Sequence, residues 1–200
     1  ILRVIGLRLA ETGGYYVTTS FVVSYVGLAA ITDSRNVLIG TLVGSAIGLV
    51  SHLAYGAWSD RIGRKKVYLI GSIFTIAFGI PMFLLINTGS LVMIVVAVAL
   101  SLVLSHDPIF AVESSWFSEL FPANRRTSGI SLGYNGAAIV AGFLPFIATA
   151  VYGAVGWIGP ALLFTLLGVI STAVAITARE TAPAVVGGAK AEQPTLEGVR

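Results

Sequence analysis

From Leu91 to Leu104 the chain is aliphatic but for Met93 and Ser101, and comparable apolar stretches recur along most of its length. A membrane span needs about 20 mostly apolar residues, so the stretches divide the chain into six spans, at about 12–31, 37–58, 67–87, 91–112, 128–152 and 155–178. Inside lipid every backbone N–H and C=O must find a partner within the protein, which leaves helices and closed barrels. A barrel needs strands of alternating polarity about 10 residues long, and the sequence has none. The expected fold is therefore all-α, a polytopic transmembrane bundle of six helices. Composition agrees: 56% of residues are hydrophobic and 10% charged, where soluble domains carry about 25% charge.

The few charges are distributed unevenly. Counting loops alternately, one side receives Arg3 and Arg8, then Arg61, Arg64, Lys65 and Lys66, then Arg125 and Arg126, then Arg179, Lys190 and Arg200. The other side holds Arg35 alone. Lys and Arg are retained on the cytoplasmic side. Both ends of the segment and the loops 59–66 and 119–127 are thus expected at the cytoplasmic face of the cell membrane. With the cations given to topology, the net charge of +3 implies no nucleic-acid binding. The chain has no cysteine, which removes disulfides and thiolate metal ligands; no metal site and no cofactor is expected. It opens on Ile1, and Arg3, Arg8 and Glu11 interrupt the apolar run a signal peptide needs, so it is expected to begin inside a longer protein. Residues 1–180 are read as the bundle. Residues 181–200, rich in Ala, Gly, Pro and charge, are read as a disordered cytoplasmic tail.

Between the second and third spans, Gly56-Ala-Trp-Ser-Asp60-Arg61-Ile-Gly63-Arg64-Lys65 follows the pattern G-x-x-x-D-R-x-G-R-K. Asp60 and Arg64 would face each other on a continuing helix, and Gly63 permits a sharp exit. The pattern resembles the signature loop of the major facilitator superfamily of transporters. Glu119-Leu-Phe-Pro122-Ala-Asn-Arg125-Arg126 resembles the E-L-F-P-T-x-x-R loop of that superfamily, departing from it at Ala123 and Asn124. Ser128-Gly-Ile-Ser-Leu-Gly-Tyr134 is similar to the opening of the next helix in the metabolite:proton symporter branch. Arg179-Glu180-Thr181-Ala-Pro183 is similar to that branch's exit from its last helix. Occurring in this order over about residues 1–183, these elements make the chain resemble the C-terminal six-helix half of such a symporter.

The resemblance implies half of a twelve-helix fold, built from two inverted sets of three helices. It implies proton-coupled symport of a small organic acid or zwitterion by alternating access, and not an enzyme. Relatives in that branch carry dicarboxylates, citrate, shikimate, proline or betaine. The implied partners are the lipid bilayer, the substrate, protons and an absent N-terminal six-helix half, between which and this half the path would run. Asp60 would latch one conformation by meeting a helix end or a cation across the cytoplasmic seam. Gly56, Arg61, Gly63 and Arg64 belong to the same loop, and Glu119 would add to the network with Arg126 or Arg64. A carboxylate near a helix N-terminus contributes roughly 0.3–1 kcal/mol when exposed and up to about 2 when partly buried.

Charges within the spans are the second lead. A carboxylate at mid-span costs about 2.5–3.5 kcal/mol on insertion scales, so it tends to line water or serve ion movement. Asp107 is the first proton-coupling candidate, followed by Glu113 and Glu11. For Asp107 the competing reading is a helix end at Asp107-Pro108. For Glu113, Glu11 and Arg8 it is a snorkelling side chain close to the membrane face. Tyr15 and Tyr16, near Glu11, together with Arg8, and Tyr134 and Asn135 from another wall, are the substrate-path candidates; interhelical hydrogen bonding is the alternative for each. Gly40, Gly44 and Gly48 repeat every four residues and give one helix a face of close backbone approach.

Two other classes compete. Gly129-Ile-Ser131-Leu-Gly133 matches the G-x-S-x-G of serine hydrolases, but that motif works on a strand-to-helix turn, and here an apolar helix begins. A channel or a purely structural bundle is the third class, and no ring of repeated charges supports a pore.

Overall fold

The computed structural model describes residues 1–121, 124, 126–182 and 185–186. Pro122, Ala123, Arg125 and most of the expected tail (183–184 and 187–200, with Lys190 and Arg200) lie outside the described residues. The rest forms six long helices, with no strand among the described residues. Helix α1 covers residues 2–28, with π-helical turns at Leu9–Gly13 and Val17–Phe21. Then follow α2 (Ser34–Ile62), α3 (Arg64–Asn87), α4 (Leu91–Leu120), α5 (Arg126–Val155) and α6 (Ile158–Thr177). The last five are long and apolar enough to cross a membrane. Their 20 to 30 residues extend about 30–45 Å at 1.5 Å per residue, against a hydrocarbon core of about 30 Å.

Helices α2 to α5 overrun the spans expected from hydropathy, and at α2 capping, not polarity, sets both ends. Asp33 accepts the Arg35 amide at 2.7 Å and starts α2, and Gly63 ends it. Helix α1 begins at Leu2, about ten residues before the expected span, because Val4, Leu7 and Ala10 bury against protein. The feared break at Asp107-Pro108 does not occur. Helix α4 widens instead into a π turn at Ser101–His106 and runs on to Leu120. The wider turn accommodates a proline ring that lacks an N–H and collides with the carbonyl four residues back.

Helix α3 packs along α6, α2 along α4, and α1 sits against α5, α6 and the π turn of α4. The glycine stripe does what its spacing suggests. A Cβ on Gly44 would stand 2.8 Å from Leu102 Cδ1 and 3.1 Å from the Ala99 backbone, and Gly40 is equally close to Val98 and Val95. The core forms two clusters. One gathers Phe21, Tyr25, Met82, Phe83, Ile94 and Phe164. The other, toward the end that carries the basic residues, gathers Val4, Leu7, Tyr68, Ile109, Trp116 and Phe117. Thr181 and Ala182, at the start of the expected tail, are packed: Ala182 is fully buried and Thr181 Oγ1 donates to Glu119. Large apolar side chains of α2 and α5, among them Leu42, Leu49, Leu53, Phe143 and Phe146, are exposed.

Candidate functional site

Where the two clusters meet, six ionisable side chains form one continuous chain. Arg8 Nε lies 3.5 Å from Glu113 Oε2, and Arg8 Nη2 donates to Glu11 Oε2 at 2.9 Å. Glu11 Oε1 is 3.2 Å from His106 Nε2, and His106 Nδ1 is 3.2 Å from Asp107 Oδ1. The same oxygen lies 3.3 Å from His52 Nε2. Ser51 donates its hydroxyl to the other Asp107 oxygen, and the Thr12 hydroxyl bonds both Arg8 and Glu11. Helices α1, α2 and α4 all contribute. Arg8, Glu11, Asp107 and Glu113 are each at most 9% exposed, so these charges do not snorkel. Nor is Arg8 a loop cation like Arg3; it is drawn into the bundle by two carboxylates. Its guanidinium also stacks 3.8 Å from the centre of the Tyr134 ring, an arrangement that adds electrostatic attraction.

The π turns aim these groups. A π turn leaves backbone groups without their usual partners, and in an apolar interior each needs another. Around Leu9–Gly13 they find them on neighbouring helices: the Ala10 amide donates to Ser171 Oγ at 2.8 Å, Ser171 Oγ donates to Gly6 O at 2.8 Å, and the Tyr68 hydroxyl donates to Leu7 O. The turn that carries Glu11 is thereby fixed to α3 and α6. The π turn of α4 carries His106 and is tied to α1 by the 2.9 Å contact of Thr18 with Ser101, and to α3 by the 2.5 Å contact of Thr75 with Ser105.

Beside the chain an open cleft of about 320 Å³ is lined by Glu11, Thr12, Tyr15, Tyr16, His106 and Phe110. Tyr15 packs at 5.1 Å on the His106 ring. Tyr15 and Tyr16 therefore reach the cleft, while Tyr134 is held on Arg8. Asn135 is not brought in: it is exposed, and its amide donates to Ser131 O of its own helix at 2.9 Å. Ser131 itself lies inside α5 and not on a strand-to-helix turn.

At the basic end, Arg64 Nη2 lies 3.1 Å from Glu119 Oε1 and 3.6 Å from Asp60 Oδ1. The Asp60 side chain is two-thirds exposed, and Arg61 and Arg126 are exposed too. Among the described residues Arg126 has no carboxylate partner, so Glu119 joins Arg64. Gly56 faces open space. The helix end in this region is capped by a different acid. Glu180 accepts the amides of Arg64 at 3.0 Å and Lys65 at 3.1 Å, at the N-terminus of α3. Lys65 Nζ in return donates to Ile176 O at 2.6 Å and Ala178 O at 2.9 Å, at the C-terminus of α6. Each charge sits at the helix end whose partial charge is opposite to its own. Gly63, with φ of 114°, lies directly under the Glu180 carboxylate. Gly63→Ala forces a Cβ into that contact and into a left-handed backbone; the expected loss is about 1–3 kcal/mol, measured as a lower melting temperature.

Sequence reasoning gave no site role to His52, His106 or Glu180. His52 had a signal: it stands four residues beyond Gly48 and extends the stripe that faces α4. Glu180 had none, because its role depends on its meeting in space a helix start 115 residues away in sequence.

Comparison with known proteins places the chain. The Major Facilitator Superfamily profile matches residues 9–198. The shikimate transporter of Escherichia coli (strain K12) is 31% identical over 185 residues, covering 90% of this chain and 42% of the relative. The proline/betaine transporter of the same organism is 28% identical over 192 residues, covering 94% of this chain and 38% of the relative. The citrate-proton symporter of Klebsiella pneumoniae is 25% identical over 140 residues, covering 70% and 32%. The chain thus spans about two-fifths of the length of the first two relatives. No solved structure matches it significantly. Six helices, five of them long and apolar enough to cross a membrane, a basic glycine-containing loop between the second and third, and a match over nearly the whole chain lead to one conclusion: the chain belongs to the Major Facilitator Superfamily.

Proposed function

We propose that the chain is one six-helix lobe of a secondary transporter that couples proton movement to uptake of a small organic acid or zwitterion. The observation that carries this is the chain of ionisable groups from Glu113 to His52 inside an apolar bundle. Charged groups at that depth are costly and mark ion or substrate pathways. Three carboxylates there face Arg8 and His106, whose two ring nitrogens each point at a carboxylate, so one negative charge is left over even with that ring doubly protonated. Glu113 is the proton carrier in this proposal: it is fully buried, and neither of its oxygens accepts a hydrogen bond. Glu11 and Asp107, the other two candidates, hold His106 between them at the wall of the cleft. The cargoes named for the relatives, shikimate, proline and betaine, all carry a carboxylate, and the hydroxyls of Tyr15 and Tyr16 on the cleft wall offer such a group hydrogen-bond donors. A second lobe would close the cleft from the open side and cover part of the apolar faces of α2 and α5. Both ends of this lobe are assigned to the cytoplasm. There Asp60, Arg64 and Glu119, with Gly56, Arg61, Gly63 and Arg126 around them, form the latch that the second lobe engages.

The test is uptake by the full-length protein in proteoliposomes under an imposed inward proton gradient. Accumulation above the external concentration that vanishes on adding a protonophore is the expected result. Downhill flux alone, unaffected by the protonophore, would indicate a channel instead.

A further inference from the structure

We propose that His52, His106 and Asp107 form a binding site for a divalent transition-metal ion, with the donor set of Zn²⁺. The three side chains bring one ligand atom each to within 4.8 Å of one another. Asp107 Oδ1 stands 3.3 Å from His52 Nε2 and 3.2 Å from His106 Nδ1. Zinc binds imidazole nitrogen and carboxylate oxygen at about 2.0–2.2 Å, and the edge of a tetrahedron of that size is about 3.3–3.5 Å. Two of the three edges are therefore already in place without rearrangement.

The surroundings orient each ligand for metal binding. A metal-bound imidazole donates its remaining N–H to a carbonyl or carboxylate, which fixes tautomer and ring orientation. The His52 Nδ1 atom faces Gly48 O at 2.5 Å, so its proton resides there and Nε2 presents a lone pair; that atom is buried and hydrogen-bonded to nothing. On His106 the arrangement mirrors this, with Nε2 facing the Glu11 carboxylate at 3.2 Å and Nδ1 facing the site. The non-ligating oxygen of Asp107 receives the Ser51 hydroxyl. Every ligand thus has an outer partner on its far side, and those partners come from α1 and α2. The fourth position opens on a cavity of about 130 Å³ between α2 and α4, lined by Gly44, Gly48 and Leu102 as well as the ligands. That volume admits a water or a ligand atom to complete a three-residue site of the open kind.

Charge points the same way. An ion that replaces the Nδ1 proton of His106 adds one net positive charge, which makes up the deficit of a cluster with more carboxylates than cations. Bound metal would pin α2 to α4 through His52.

Binding is read on the purified full-length protein, stripped with chelator and titrated with Zn²⁺ by calorimetry and with Co²⁺ by visible absorption. The expected result is one ion per chain and the intense visible bands of tetrahedral Co²⁺. His52→Ala should weaken binding by more than the roughly 10- to 100-fold that loss of an outer partner costs, and Glu11→Gln should fall within that range. His52→Gln, which keeps the side-chain volume, serves where the alanine variant fails to fold. Binding of the same strength in the His52 variants, no saturable binding, or only the weak spectrum of octahedral Co²⁺ overturns the proposal. The readout requires no transport, so a failure of proton-driven uptake would leave it untouched.

Discussion

Replacing Arg8 with alanine should cost about 3–5 kcal/mol of stability, the range measured when one partner of a buried ion pair is removed. Arg8 serves two carboxylates at once, at 2.9 Å and 3.5 Å, and also carries the stacking contact with Tyr134. Without it Glu113 keeps no cationic neighbour and Glu11 keeps only His106. The penalty comes mostly from the orphaned anions and less from the lost attraction. A second change therefore discriminates: Arg8→Ala combined with Glu113→Gln should recover a substantial part of the loss, because no uncompensated charge is then left at that position. Arg8→Lys should fall between, since a point charge cannot serve both carboxylates as the guanidinium fork does. Unfolding of detergent-purified protein measures all three. A wild-type melting temperature for Arg8→Ala would mean that the interior pairing contributes nothing.

Glu113→Gln should abolish accumulation while leaving downhill exchange within a few-fold of the wild type. Glutamine matches the shape of the protonated carboxyl group but cannot release a proton, so the step that ties substrate to the gradient disappears and binding persists. The site suits this substitution because neither Glu113 oxygen accepts a hydrogen bond that an amide would disrupt. Uphill uptake and counterflow, measured on the same vesicles, separate the two functions. Undiminished accumulation by Glu113→Gln would remove Glu113 as carrier.

Much of this architecture could be read before any coordinates, for physical reasons that also mark the limits. Lipid imposes a one-dimensional pattern, so the apolar runs and the cations between them locate four of the six helices to within a few residues, while α1 begins and α4 ends well outside its expected span. The same rule counted Arg8 among the end cations, because it lies only seven residues from Ile1. The clue was local: Arg8 and Glu11 are three apart and share a helix face, which makes a private pair. The glycine stripe disclosed the α2–α4 contact, and its next position, His52, lies in the site. By contrast the π turns leave no mark in composition. Neither do Glu180 at the start of α3 nor Lys65 at the end of α6, since each depends on where distant helix ends meet. Asp60 was the obvious acid in its loop, and it proved the most exposed member of its network.

Because the chain contains no cysteine, single thiols introduced into its loops test the six-span arrangement most directly. Arg61→Cys and Arg126→Cys, both at exposed positions, should react with a membrane-impermeant maleimide from the cytoplasmic side only, in inside-out vesicles. Arg35→Cys should react only in right-side-out vesicles. Positions 61 and 126 labelled from opposite sides would contradict the arrangement on which the site, the latch and the proton path all depend.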